Sequence, residues 1–196
     1  EEQYKFLGAS VYERKEQDID FEKTNRPVIY ISLGTVIKGA ASFFGKCIEA
    51  FRNERVDVII SVGKNFSIHK LKDVPENCKI YNEVPQLSVL RQADIFVTHG
   101  GMNSISEALV YGVPMVVIPF MSDQPTNARR IEELGLGKKL DYRMINSELL
   151  RTTVLSVMND EVILANVSKM QKQMLDAPGN RGGADMIMEY YEKVSR

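Results

Sequence analysis

Five short apolar runs, rich in β-branched residues, constrain the fold of this chain more than any other feature. They span 28–33, 56–63, 80–84, 95–98 and 115–119, and each is closed or followed by glycine, proline or a polar side chain. Runs of this length are typical of parallel strands buried on both faces. Helical patterns alternate with them at spacings that suit right-handed β-α-β units. The sequence therefore predicts an α/β fold with a Rossmann-like, doubly wound parallel sheet.

The rest of the chain divides into a polar start and a helical end. Residues 1–27 are mostly polar and predict a linker or interdomain segment, whereas 28–196 form one domain. Apolar periodicity predicts helices over 42–55, 104–111, about 125–134, 147–158, 162–175 and 184–194, with a sixth short strand at 138–140. The last helix carries an apolar face that we expect to be covered by this domain or by a missing one; the face comprises Ala184, Ile187, Met188, Tyr191 and Val194.

Composition narrows the possible partners of this domain. The 196 residues carry a net charge of -1, so the chain has no overall positive field that would attract nucleic acid or an anionic membrane. The longest apolar run, 113–121, is too short to span a bilayer, and no signal peptide pattern is present. The chain has two cysteines far apart and two histidines, so we predict reduced thiols, no metal site and a cytoplasmic location.

Polar residues follow the third, fourth and fifth predicted strands, and also the first; in doubly wound sheets ligands bind beyond these ends of the strands. Ser32, Gly34 and Thr35 close the first strand. Gly34 allows a ligand to approach the backbone closely, and Thr35 offers a hydroxyl and an amide. A glycine turn with a capping threonine explains the same residues, and for this segment alone the simpler interpretation is favoured.

The segment after the fourth strand predicts a phosphate site. His99 precedes two glycines, Gly100 and Gly101, which would expose backbone amides at the start of the next helix. Asn103 and Ser104 add side-chain donors, and a neutral histidine can donate to a phosphate oxygen. Ser104 with Glu107 also matches a capping box. A cap does not account for His99 and the glycines, so the phosphate interpretation is favoured.

The fifth strand leads to Asp123 and Gln124, with Pro125 predicted at the first position of a helix. These two side chains either start the helix or bind sugar hydroxyls, and their spacing favours neither.

Other nucleotide and hydrolase motifs are missing. The sequence has no Gly-x-Gly-x-x-Gly after the first strand, no P-loop and no Gly-x-Ser-x-Gly elbow.

Taken together, these segments resemble the donor-binding signature of the family 1 UDP-glycosyltransferases, most closely the bacterial macrolide and flavonoid enzymes. The resemblance extends from about Pro27 to Tyr191. It rests on 32–35, 84–86, 98–104, Glu107, 112–115, 123–124, 127–128, 131–137 and 182–184.

The resemblance implies how a nucleotide diphosphate would be held. Thr35 and His99 would contact the β-phosphate, and Asn103 and Ser104 the α-phosphate. Ser32, Gly34 and Gly101 complete this part of the predicted donor site.

The resemblance also implies contacts to the nucleoside and the sugar. Glu107 would bind the ribose hydroxyls with Gln86 nearby, and the Val84 backbone would recognise uracil. Asp123 and Gln124 would hold the sugar hydroxyls.

One position departs from the family pattern. Many members carry a tryptophan, stacked on uracil, where this chain has Glu83, and the chain contains no tryptophan. Tyr81 is a candidate for the stacking surface. The resemblance alone therefore leaves UDP and TDP open as donor nucleotides.

By resemblance, the chain is one half of a GT-B fold, in which two Rossmann-like domains face a cleft. It matches the C-terminal donor domain, and the N-terminal acceptor domain with the catalytic base is absent. The whole enzyme would be inverting and metal-independent, transferring a hexose such as glucose from a UDP-sugar to a small-molecule hydroxyl. It would need no cofactor beyond this donor substrate, and the chain alone would be inactive.

Two other interpretations stay open. The chain could be the donor-binding subunit of a two-chain glycosyltransferase, which needs a separate partner. Its start at Glu1, without methionine and within a linker-like segment, favours part of a larger enzyme instead. A regulatory nucleotide-binding domain is a weaker alternative, because it leaves Asp123 and Gln124 without a role.

Overall fold

The computed structural model describes residues 7–11, 19, 21, 23–34 and 40–195. This part of the chain holds six strands and seven α-helices; helices separate most of the strands, and the last three helices follow one another. The strands are β1 (Val28–Ser32), β2 (Asp57–Ser61), β3 (Cys78–Tyr81), β4 (Ile95–Thr98), β5 (Met115–Val117) and β6 (Gly137–Lys139). The helices are α1 (Ala40–Phe51), α2 (Gln86–Leu90), α3 (Met102–Val110), α4 (Gln124–Glu133), α5 (Ser147–Met158), α6 (Glu161–Asp176) and α7 (Gly179–Val194).

The six strands form one parallel sheet in the order β3-β2-β1-β4-β5-β6. The chain runs outward from β1 to β3, and then returns to the other side of β1 to build β4, β5 and β6. This reversal defines a doubly wound sheet, so the predicted Rossmann-like α/β fold with a helical C-terminal tail is confirmed.

The central strands form the core because most of their side chains are apolar. Every residue of β1, β2 and β4 is buried, which explains the uninterrupted apolar runs in the sequence. Tyr30 of β1 stacks on Phe96 of β4 with a centroid distance of 4.6 Å and an interplanar angle of 6°. Cys47 and Cys78 are buried free thiols, and burial raises the pKa of Cys78 to about 11.

Several element boundaries differ from the predicted ones for local reasons. Helix α1 ends at Phe51, four residues before the predicted end, since Asn77 Nδ2 donates to the Phe51 and Val56 carbonyls at 3.0 and 3.1 Å. Strand β3 ends at Tyr81 because its partner in β2, Ser61, is the last residue of that strand. The five-residue helix α2 was not predicted, and α7 begins at Gly179 instead of 184.

The described parts of the predicted linker lie on the domain. Thr24 and Arg26 contact the buried carboxylate of Asp57, and the Val28 amide donates to Asp94 Oδ2 at 2.8 Å. The Leu7 carbonyl accepts from the Gly179 amide at 2.7 Å. The division into 1–27 and 28–196 stays a prediction, as 1–6, 12–18, 20 and 22 lie outside the described residues.

The predicted apolar face of α7 is exposed in this structure. Ile187, Met188, Tyr191 and Val194 are each more than half exposed, so this domain's own core does not cover them. Among the described residues, no helix is long and apolar enough to cross a membrane.

Candidate functional site

The switch point of the sheet lies between β1 and β4, which pair side by side up to Ser32 and Thr98. The chain leaves these two strands toward opposite sides of the sheet, which opens a crevice beyond their carboxyl ends. Gly34 follows β1 and His99 follows β4, so both predicted site residues lie at this crevice. Thr35, the neighbouring candidate, lies outside the described residues.

The imidazole of His99 lies between the backbones of Gly34 and Gly101. A Cβ added at Gly34 would be 3.1 Å from Cε1 of the ring, and one added at Gly101 would be 2.7 Å from Nε2. Gly34 also has a φ of 69°, a conformation that favours glycine. The two glycines therefore make room for the ring, a purpose that the sequence alone did not indicate.

His99 combines a buried nitrogen with an uncharged ring. Nδ1 is buried and has no hydrogen-bond partner in the described part of the chain. Burial lowers the pKa of His99 below its usual value, and the nearby Asp123 carboxylate partly opposes this effect. At neutral pH the ring therefore carries one N–H donor, and an unsatisfied buried polar atom of this kind is typical of a ligand site.

Helix α3 begins at Met102, with Gly101 as its N-cap residue and no side-chain cap. The predicted capping box is therefore wrong, because Ser104 is the third residue inside the helix. The reason is the turn at Gly100, whose φ of 85° lets the helix start directly after β4. Within the described part of the chain, the first-turn amides at the positive end of the helix dipole have no side-chain cap, and they can bind an anion.

Ser104 and Glu107 contact Gln86 instead of capping the helix. Gln86 Nε2 donates to Ser104 Oγ at 3.3 Å and to a carboxylate oxygen of Glu107. Gln86 Oε1 accepts from the Tyr30 hydroxyl at 3.1 Å. Three predicted site residues thus meet in one network, and Tyr30 joins them. Sequence reasoning missed Tyr30, because an aromatic residue within a strand pattern is indistinguishable from ordinary core.

The segment between β3 and α2 holds the residues predicted to face the base. Tyr81 ends β3, and Val84 is half-buried ahead of α2. Glu83, which replaces the expected tryptophan, forms an ion pair with Lys64 at 3.2 Å. Both side chains are more than half exposed, so this pair contributes little to stability.

The loop after β5 is closed by Gln124. This side chain is buried, and its Oε1 accepts from the amides of Phe120 and Met121 at 2.9 and 3.1 Å. Gln124 is the first residue of α4, so Pro125 occupies the second helical position and not the first. The amide group Nε2 is the part of Gln124 that remains for a ligand.

Asn127 connects the two loops that carry the predicted phosphate and sugar contacts. Its Nδ2 donates to the Gly100 carbonyl at 2.9 Å and to Asp123 Oδ2 at 2.8 Å. The exposed carboxylate of Asp123 is thereby held beside the turn after β4. Asn127 was noted in the sequence only as part of the family resemblance, and its contacts are formed in the tertiary structure.

These features define an α/β domain with a site suited to an anion at the carboxyl ends of its strands. Residues 9–180 match the family model described as UDP-glucoronosyl and UDP-glucosyl transferase. The chain belongs to this family.

Similar proteins share the fold of this chain and are about twice as long. The chain is 41% identical over 194 residues to NDP-glycosyltransferase YjiC of Bacillus subtilis (strain 168), covering 98% of this chain and 50% of that protein. The crystal structure of the glycotransferase of kitacinnamycin is similar with a TM-score of 0.86 and 33% identity, covering 94% of this chain and 48% of the other.

A third relative was solved with a nucleotide bound. Os79 from O. sativa in complex with UDP has a TM-score of 0.74 and 26% identity, covering 87% of this chain and 41% of that one. The chain thus spans about half the length of the relatives it matches. Its fold is one half of a GT-B glycosyltransferase.

Proposed function

We propose that this chain is the donor-binding domain of a larger glycosyltransferase. The enzyme would transfer a hexose, such as glucose, from a UDP-sugar to a hydroxyl group of a small molecule. The observation that carries the proposal is the imidazole of His99, held between two glycine backbones at the switch point. Its buried Nδ1 has no hydrogen-bond partner among the described residues. The uncapped start of α3 lies directly after it.

The diphosphate would bind at the start of α3. The helix end carries roughly +0.5 of an elementary charge, which favours a phosphate group. His99 would donate its N–H to the β-phosphate, and Asn103 and Ser104 would face the α-phosphate. Thr35 stays a predicted contact to the β-phosphate.

The nucleoside would lie across the neighbouring strands. Glu107 would accept hydrogen bonds from the ribose hydroxyls, and its contact with Gln86 supports this role by holding the carboxylate in place. The Val84 backbone would recognise the base. That Os79 binds UDP in a similar fold supports a uridine diphosphate in this position.

The sugar would lie beside the loop after β5. Asp123 presents an exposed carboxylate that accepts from hydroxyls, and Gln124 Nε2 donates to them. The contact of Asn127 with both Asp123 and the turn after β4 supports a sugar that lies next to the phosphate contacts.

The proposed reaction is an inverting displacement at the anomeric carbon. The acceptor oxygen forms the new bond on one face of the sugar while the bond to the UDP oxygen breaks on the opposite face. The acceptor proton passes to a base outside this chain, in an N-terminal domain or a partner chain. Negative charge develops on UDP, where α3 and His99 stabilise it, so we propose a transfer that is independent of metal and cofactor.

We expect the 196-residue chain to bind UDP but to transfer no sugar. The phosphate contacts lie within the chain, whereas the acceptor site and its base do not. Isothermal titration calorimetry should give a Kd below about 1 mM, equivalent to about 4 kcal/mol. UMP, which lacks the β-phosphate, is the matched control and should bind more weakly. No detectable UDP binding at millimolar concentrations would contradict an intact donor site.

We also expect UDP and TDP to bind with Kd values within about tenfold of each other, a difference of about 1.4 kcal/mol. The position of the family tryptophan holds Glu83, ion-paired with Lys64, so the base would have no indole ring to stack on there. The name of the Bacillus subtilis relative, an NDP-glycosyltransferase, supports a permissive base site. Glu83→Trp serves as the control and should strengthen binding of both nucleotides by stacking, which contributes about 1–3 kcal/mol per base. A preference above about a hundredfold in the unaltered chain would refute the prediction.

A further inference from the structure

We propose that Tyr30 is a positioning residue for ribose recognition and acts through Gln86. The proposal rests on the proposed function, since it assumes that Glu107 binds the ribose of the donor nucleotide. Tyr30 lies in the middle of β1, is 1% exposed and has no direct path to a ligand. Its influence on binding must therefore pass through neighbouring side chains, and of its neighbours Gln86 and Phe96, Gln86 is the predicted site residue.

The hydroxyl of Tyr30 is held rigidly by the core. The ring is stacked on Phe96 of the neighbouring strand, and both side chains are buried. Close packing leaves the ring little freedom to move. The hydroxyl, which donates to Gln86 Oε1 at 3.1 Å, is thus a donor at a fixed place on the core side of Gln86.

The fixed hydroxyl of Tyr30 and the carboxylate of Glu107, which can only accept, together determine which way the Gln86 amide faces. An amide has one acceptor oxygen and one NH2 group, on opposite sides of its terminal carbon. With Oε1 turned toward Tyr30, Nε2 faces Ser104 and Glu107, as observed. The reversed amide would place Oε1 against the Glu107 carboxylate, where two acceptors repel each other. It would also turn Nε2 toward Tyr30, whose hydroxyl would then accept instead of donating.

The orientation of Gln86 in turn holds the Glu107 carboxylate. One carboxylate oxygen accepts from Gln86 Nε2, and this contact sets the direction of the other oxygen. Ribose hydroxyls are donors that need such an oriented acceptor. Tyr30 should therefore contribute to ribose recognition and not to phosphate or base recognition.

The test compares UDP with 2′,3′-dideoxy-UDP on the 196-residue chain and its Tyr30→Phe variant. The variant removes one hydroxyl and keeps the stacked ring. It should weaken UDP binding by about three- to tenfold, the range expected for one hydrogen bond, and leave the dideoxy nucleotide unchanged. The proposal would be overturned if the variant weakened the binding of both nucleotides equally, or if it weakened the binding of neither. The matched control is Tyr111→Phe. The hydroxyl of Tyr111 accepts from Arg91 at 3.4 Å on the surface, so its removal should leave the Kd values of both nucleotides unchanged.

A double-mutant cycle tests the route through Gln86. Gln86→Met removes the amide at similar length and should also weaken UDP selectively. In that background Tyr30→Phe should have no further effect, and a further loss of UDP affinity would show that Tyr30 acts by another path. If the unaltered chain binds both nucleotides equally, this inference fails while the donor site stands. If it binds neither, the proposed function fails as well.

Discussion

Replacing His99 by alanine in the full-length enzyme should lower turnover by about a hundredfold. A single donor aimed at developing negative charge typically contributes about 2.7–4 kcal/mol to transition-state stabilisation. His99 is held between two glycine backbones, and burial keeps its ring neutral, so the ring donates without reorganising. The rate of sugar transfer at saturating donor, measured for both enzymes, checks the expectation.

Two further variants separate this effect from a general loss of structure. His69→Ala alters the other histidine, which is exposed in a short 3-10 turn, and should leave turnover unchanged. His99→Asn retains an N–H donor and should recover part of the lost rate. A loss smaller than about tenfold in His99→Ala, roughly 1.4 kcal/mol of barrier, would exclude the proposed role in stabilising the leaving group.

The second large effect is expected from Gly101→Ala, which should weaken UDP binding by at least about tenfold, or ~1.4 kcal/mol. The backbone of Gly101, with φ of -64° and ψ of 139°, suits alanine, so the turn itself tolerates the change. The added methyl group would lie 2.7 Å from Nε2 of His99, which forces the imidazole to move. Calorimetry with UDP measures the loss of affinity.

Gly45→Ala is the matched control for this substitution. A Cβ at Gly45 meets nothing within 4 Å, and the residue lies inside α1. This variant should gain about 0.5–1 kcal/mol of stability and keep its UDP affinity. Unchanged UDP binding in Gly101→Ala would mean that the position of the His99 ring does not matter for the nucleotide.

Much of the architecture was predictable from local patterns. The fourth strand was predicted with the observed bounds, Ile95–Thr98, as was α5, Ser147–Met158. Both segments are continuous in sequence, and each shows a pattern of its own: the strand is an apolar run, and the helix is amphipathic. The start of α3 was placed two residues too late, because the Ser-x-x-Glu pattern at 104–107 imitates a cap.

The location of the candidate site was also predictable, since polar residues that follow parallel strands gather at one edge of the sheet. The contacts within the site were not. The sequence gives no sign that Gln124 closes its own loop through Phe120 and Met121, or that Asn127 links Asp123 to Gly100. Such contacts depend on how two loops meet in space.

The sequence by itself determined the α/β class, the order of strands and helices apart from α2, and the membership in a glycosyltransferase family. These follow from short-range periodicity and from motifs that are contiguous along the chain. Only the tertiary structure decided which groups act together. Tyr30 and Gln86 are 56 positions apart, and Gln86 and Glu107 are 21 apart, yet they form one network. The physical reason is that the pairing of β1 with β4 and the packing of α2 beside α3 bring together side chains whose partners no local pattern specifies.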